Sequence, residues 1–241
     1  MGSLLEEVHL EFERSALVEI LGANRLEADL IMPKDPSGVV ILVHGSRSSR
    51  LSPRNRFVAR VLRERGLGTL LIDIETPEER ALGSDLGRSP IDLEEMASRI
   101  RCATRWLRYQ PDVTGLPIGY LGAGTGAGAV FMAAADHRDQ VKAIVCRGGK
   151  LEPALSHLPR VETPSLLIVG ARDVPLVQEN HNAIDRLGTK DSRLEVIPGA
   201  RHLFEEPGAL TAVAMHSASW FARFLTGVPA KAAVQMGIWI A

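Results

Sequence analysis

The strongest constraint on this chain is a rhythm. Short runs of apolar, largely β-branched residues recur between longer amphipathic stretches. The runs are VVILVH (Val39 to His44), TLLIDI (Thr69 to Ile74), IGYLG (Ile118 to Gly122), KAIVC (Lys142 to Cys146), SLLIVG (Ser165 to Gly170) and RLEVIP (Arg193 to Pro198). Their near-continuous hydrophobicity predicts strands buried on both faces, as in a parallel sheet covered by helices. Helical faces fill the gaps. After Ser89-Pro90, the residues Leu93, Met96, Ile100, Ala103 and Leu107 recur at three- and four-residue steps and make one apolar stripe. Ser89 before its proline is the expected start of that helix. Arg54 to Arg65, Ala127 to Ala135, Leu176 to Leu187 and Leu210 to Leu225 carry similar faces. Strands alternating with helices imply a doubly wound α/β sheet with helices on both faces and no large lid.

The first thirty residues alternate more loosely (VEILGANRLEADLIM) and predict an antiparallel hairpin leading into the sheet. Glu75 to Arg88 reads as a long polar loop, and loops of that length are often functional. The expected unit is a single domain over residues 1–241, with a core of about 16–226 and a tail, 227–241, that follows no pattern. At 241 residues the chain is long enough to bury a full core.

Composition excludes several functions. Lys and Arg number 28 against 29 Asp and Glu, so bulk charge gives no reason to expect nucleic acid or an anionic membrane as partner. Two cysteines, Cys102 and Cys146, cannot build a disulfide framework or a cysteine zinc site, and the 7 histidines lack ligand spacing, so neither metal nor other cofactor is expected. The opening LLEEVHLEFE is no signal peptide, and no apolar run is long enough to span a bilayer. The expected setting is cytoplasmic. The apolar tail around Ile238 to Ile240 offers a surface for a homo-oligomer.

Function in an open α/β sheet gathers at the carboxyl ends of the strands. Four ends carry chemistry here: His44-Gly45-Ser46, Gly122-Ala123-Gly124-Thr125-Gly126, Ala171-Arg172-Asp173, and Pro198-Gly199-Ala200-Arg201-His202. A strand, a glycine-rich turn and a helix make the setting of a nucleophile elbow, G-x-S-x-G. Its outer glycines would be Gly122 and Gly126, and its centre is Gly124. Asp173 and then His202 follow, so nucleophile position, acid and base stand in the chain order of an α/β-hydrolase triad.

Each residue also has a plainer role. The glycines could serve packing alone, Asp173 could cap the helix that follows it, and His202 could be an ordinary surface or core residue. Together, in order and on strand ends, they favour the catalytic assignment. His44 reads as a support for its loop. Seven arginines between Arg47 and Arg65 form a solvated helix face or, at one or two positions such as Arg47, grip an anionic group. Cys146 ends the strand beside the elbow, where it either faces the site or is a buried, inert thiol. Gly122, Gly124 and Ala127 also satisfy a dinucleotide G-x-G-x-x-A. The acid that should bind the ribose would fall near Cys146, and that strand ends in Cys-Arg.

HGSRSSRLSPRNRFVA, TRWLRYQPDVTGLPIGYLGAGTGAGA and PGARHLFEEPGAL carry a family likeness. From about Val39 to Phe224 the chain resembles the dienelactone-hydrolase-related group of α/β-hydrolases, the kind sometimes fused to phosphoribosyltransferase domains. The resemblance implies hydrolysis of carboxylic esters or lactones of small molecules. Asp173 would orient His202, His202 would be the general base, and the N–H groups of Ser46 and Thr125 would form the oxyanion hole. It also exposes a departure: G-A-S-T-G is expected and G-A-G-T-G is present, so the nucleophile has no side chain. Three expectations follow: a hydrolase disabled at Gly124, a His–Asp acid–base enzyme that hydrolyses nothing, and a silent small-molecule-binding protein.

Overall fold

The computed structural model describes residues 10–20, 25–45, 48–86, 89, 91–137 and 140–226, except the side chains of residues 10 and 11. Eight strands form one sheet: β1 (Leu10–Glu19), β2 (Arg25–Pro33), β3 (Gly38–Val43), β4 (Leu67–Ile72), β5 (Ile118–Ala123), β6 (Val141–Arg147), β7 (Ser165–Gly170) and β8 (Ser192–Ile197), in the order β1-β2-β4-β3-β5-β6-β7-β8. The expected hairpin is present, with Val18 opposite Leu26 and Ala16 opposite Ala28, and β2 then pairs antiparallel with β4. From β4 to β8 every pairing is parallel. In β3, β4, β5 and β7 every residue is buried, which is why their sequences are continuous apolar runs rather than alternations.

Helices cover both faces. Val58, Val61 and Leu62 of α1 (Pro53–Glu64) pack with Val213, Phe221 and Leu225 of α6 (Ala209–Leu225) against one face. On the other face lie Met96, Ile100 and Leu107 of α3 (Leu93–Arg108), the buried flank of α4 (Thr125–Asp136) and Ala183 of α5 (Val174–Ile184). This is an α/β-hydrolase fold, and among the described residues no large lid crosses it. No described helix is long and apolar enough to cross a membrane.

Two expectations about elements need correction. Glu75 to Arg88 is not a loop: Pro77–Leu86 is a helix, α2. Thr76 starts it with a reciprocal capping box. Glu79 N donates to Thr76 Oγ1 (3.2 Å) and Thr76 N donates to Glu79 Oε2 (2.9 Å). Only Gly83 of α2 is buried, so the helix has no apolar stripe to betray it. Its anchor is ionic: Arg99 of α3 grips Glu79 through both terminal nitrogens (2.5 and 2.7 Å). Nor does α3 begin at Ser89. Asp92 caps it, accepting from Glu95 N at 2.8 Å. The tail, with Ile238 to Ile240, lies outside the described residues.

Candidate functional site

Between β5 and α4 the backbone turns at Gly124 with φ 56 and ψ −125, in the left-handed half of conformational space that side chains disfavour. The three glycines there are not equivalent. A Cβ on Gly122 would sit 2.6 Å from Ala127 Cα, and one on Gly126 would sit 2.5 Å from His44 O. Gly122 thus lets helix meet strand, and Gly126 lets the elbow meet the end of β3. At Gly124 the nearest atom to a built Cβ is Gly45 Cα, at 3.7 Å, so the position is open towards the loop after β3. Gly124 N donates to Arg147 O at 3.3 Å, and Gly124 O accepts from Lys150 N at 3.0 Å, which ties the turn to the end of β6.

Asp173 and His202 converge from two other strand ends. Asp173 takes the cap position of α5, yet its side chain makes no capping bond. Its Oδ2 lies 2.9 Å from His202 Nδ1 instead, so the plain capping role does not describe it. The two loops touch because Gly170 has no side chain: a Cβ there would lie 2.5 Å from Ala200 O. Phe204, two residues beyond the histidine, has φ 54, a conformation that costs a non-glycine residue about 1–3 kcal/mol. Its ring is buried against α6, which holds the strained turn in place. The His202 side chain is 41% exposed and Asp173 22%, so the ring is open to solvent and its partner is mostly covered. The end of β6 touches both parts: Arg147 O accepts from Gly124 N, and a Cβ on Gly148 would come within 3.6 Å of His202 Cε1.

The loop after β3 is fixed from beneath. Buried His44 has one ring nitrogen 2.9 Å from Gly45 O and the other 3.0 Å from Asp73 Oδ1, so its role is structural. Asp73, fully buried, also accepts from Arg50 N (2.6 Å) and Arg50 Nη1 (2.8 Å) and forms an ion pair with Arg80 (2.8 Å). Burial pushes this carboxyl up, but the hydrogen bonds from His44 and Arg50 and the charges of His44 and Arg80 outweigh it and hold it well below the usual carboxylate range. Thr125 opens α4 beside Gly45: its N and Oγ1 stand 3.2 and 3.3 Å from the place a Gly45 Cβ would take. Ser46 and Arg47 lie outside the described residues. Cys146 is fully buried. Its Sγ is buried against Gly149 and Asn180, and burial pushes the thiol up to about 12, which makes it an inert core group.

Two cavities open at this edge. One, of about 430 Å³, is lined by Arg201, His202, Leu203, Glu205 and Glu206. The other, of about 630 Å³, is lined by Ser48, Ser52, Arg54, Glu75, Arg80 and Ser89 among its residues. Among the described residues, no group of three or more His, Cys, Asp or Glu side chains could hold a metal ion. Three features escaped the sequence reading. Asp73 had a signal, since a charged residue closing an otherwise apolar run must find partners once buried. Arg147 and Asn55, which meet at 2.8 Å, had none that local pattern could supply.

Known proteins resemble the chain in sequence and in fold. The model of the dienelactone hydrolase family matches residues 57–226. The chain belongs to that family. A crystal structure of dienelactone hydrolase from Anabaena variabilis is 46% identical, with a TM-score of 0.85 over 89% of this chain and 98% of that one. Est1E from Butyrivibrio proteoclasticus has a TM-score of 0.70 at 18% identity over 86% of this chain and 99% of that one, a likeness of fold alone. A Mycobacterium tuberculosis (strain H37Rv) protein, whose name only proposes a phosphoribosyl transferase, is 46% identical over 208 residues. That match takes in 86% of this chain and 46% of the relative, so the chain spans less than half the length of the curated relative. Family and fold together make the chain a member of the dienelactone hydrolase family with an α/β-hydrolase fold.

Proposed function

We propose that the chain carries a site for hydrolysis of small carboxylic esters or lactones in which Gly124 occupies the nucleophile position, leaving the protein inactive or strongly impaired as it stands. His202 is the general base, Asp173 orients it, and the N–H groups of Thr125 and Ser46 are the oxyanion donors. The observation that carries this reading is the contrast within the elbow: Gly122 and Gly126 have no room for a side chain, whereas Gly124 has room beside Gly45. A serine there would need its proton removed, and His202, held through Nδ1 by Asp173, leaves Nε2 for that task. The negative charge developing on the carbonyl oxygen would then fall to the backbone donors. Loss of a nucleophile costs such an enzyme about a millionfold in turnover, and a residual of about 10³ to 10⁴ over water remains from the oxyanion hole and binding.

The test compares the chain as given with Gly124→Ser on p-nitrophenyl acetate and butyrate. The serine form is expected to hydrolyse both with an acyl-enzyme burst, and the glycine form to show neither burst nor turnover. No turnover in the folded serine variant would sink the triad. A second reading rests on the intact Asp173–His202 pair beside a position with no nucleophile: an acid–base site that abstracts a proton without a covalent step. It predicts activity of the present sequence that disappears in His202→Ala, and a purely binding role predicts activity in neither form.

A further inference from the structure

Arg147 ends β6 opposite Ala123, at the strand edge that the elbow leaves, and its side chain runs towards α1. Nη2 donates to Asn55 Oδ1 at 2.8 Å, while Nη1 is buried with no hydrogen-bond partner. Among the described residues no carboxylate pairs with this guanidinium. Two other largely buried arginines differ: Arg50 has Asp73 and Glu27, and Arg99 has Glu79 and Glu95. Burial brings the Arg147 guanidinium down to about 10, and the nearby charge of Arg54 acts in the same direction. A desolvated cation beside a second cation is one of the costlier features a fold can hold, and a bound anion removes that cost.

The ground around Arg147 is rich in donors. Asn55, its one partner, lies in the first turn of α1 and donates its own Nδ2 to Ser49 O at 2.9 Å. That turn has no acidic residue, and Ser52 makes no capping bond. Arg56 N bonds to Ser52 O, while the N–H groups of Arg54 and Asn55 meet no acceptor among the described residues. Arg54 is 38% exposed and holds Glu205 at 3.0 Å, a surface pair that an incoming anion can displace.

We propose that Arg147, Arg54 and the first turn of α1 form a binding subsite for a phosphate group, and that the ester or lactone this chain takes is a phosphorylated one. Phosphate fits better than carboxylate. A planar single charge is met by one guanidinium, whereas a tetrahedral dianion uses two guanidinium groups and helix N–H donors together. The naming of the substrate rests on the hydrolase reading above, and the phosphate site itself does not.

Isothermal titration calorimetry of the chain as given, with inorganic phosphate as probe and glutarate as the carboxylate control, decides it. Phosphate is expected to bind saturably and more tightly than glutarate. Arg147→Met should weaken it at least about tenfold, the worth of one charge-assisted hydrogen bond. Arg54→Ala, at a more exposed side chain, is the second variant and should weaken it as well. Binding unchanged in both folded variants, glutarate equal to phosphate, or no saturable heat would each overturn the proposal. Gly124→Ser keeps the two readings apart. If that variant hydrolyses no ester while phosphate still binds, the ester chemistry falls and the subsite stands. If it hydrolyses p-nitrophenyl butyrate while phosphate neither binds nor inhibits, the subsite falls alone.

Discussion

At Gly124 backbone and chemistry make opposite demands. A φ of 56 with ψ −125 favours glycine, while attack on a carbonyl needs a side chain at that point. With no atom nearer than 3.7 Å to a built Cβ, the cost of Gly124→Ser is conformational and comes to about 1–3 kcal/mol. Gly126→Ala is a different case. Alanine gains about 1 kcal/mol in helix propensity over glycine. Its Cβ, however, would press on a backbone oxygen at 2.5 Å, and overpacking against a main chain that cannot turn aside costs about 3 kcal/mol. Urea denaturation should therefore show both variants folded at neutral pH, with a net loss of about 2 kcal/mol for Gly126→Ala. In a Gly124→Ser background the added methyl should also abolish ester turnover, because it displaces the loop at His44. Turnover unchanged in that double variant would show that the contact between elbow and loop is dispensable. The place of Gly124 at a strand–helix turn and the pairing of Asp173 with His202 were legible in the sequence because chain order and strand-end position constrain them jointly. Arg147 closes a strand just as a solvated residue would, and only the third dimension shows that, among the described residues, no acid pairs with it.

Among the elements, α2 shows what apolar periodicity cannot see. The helix exists because Thr76 and Glu79 cap each other and because Arg99 and Arg80 fasten it to α3 and to Asp73. Glu79→Ala removes the reciprocal cap and both bonds to Arg99, whose side chain is only 5% exposed, and leaves that cation with Glu95 and Ile74 O. Removing one member of a largely buried pair costs about 3 kcal/mol. The expected result is a loss of that order in thermal or urea denaturation, with faster amide exchange confined to residues 77–86. Uniform exchange across the sheet, or a loss below about 0.5 kcal/mol, would mean that α2 is held by something else. The sequence did contain the cap, as Thr-Pro-Glu-Glu. A search for apolar stripes passes over it, since a helix fastened by ions along the sheet edge needs no stripe. Strands β3, β4, β5 and β7 were legible for the opposite reason: burial on both faces leaves almost no polar position to interrupt the run.

At the scale of the whole molecule, its titrating interior limits stability on both sides of neutrality. On the acid side Asp73 matters most, with Glu79 lowered as well by its bonds to Arg99. A carboxyl held below its ordinary value binds fewer protons folded than unfolded. Its contribution is complete above the ordinary value of 3.8 and is lost as pH falls below that. On the alkaline side the buried Tyr120 and Cys146 act in reverse. Both are raised to about 12, so above the ordinary 9.0 of the thiol and 10.0 of the phenol the unfolded chain ionises while the folded one stays neutral, and stability falls. Melting temperature against pH should therefore form a plateau bounded by a drop below about 4 and another above about 9. Asp73→Asn should flatten the acid limb and lower the plateau, because an amide cannot serve His44, Arg50 and Arg80 at once. Cys146→Ala should flatten part of the alkaline limb. An acid limb as steep in Asp73→Asn as in the parent would move the burden to other carboxylates, and the cluster beneath the β3–α1 loop would lose its place as the anchor of this edge of the site.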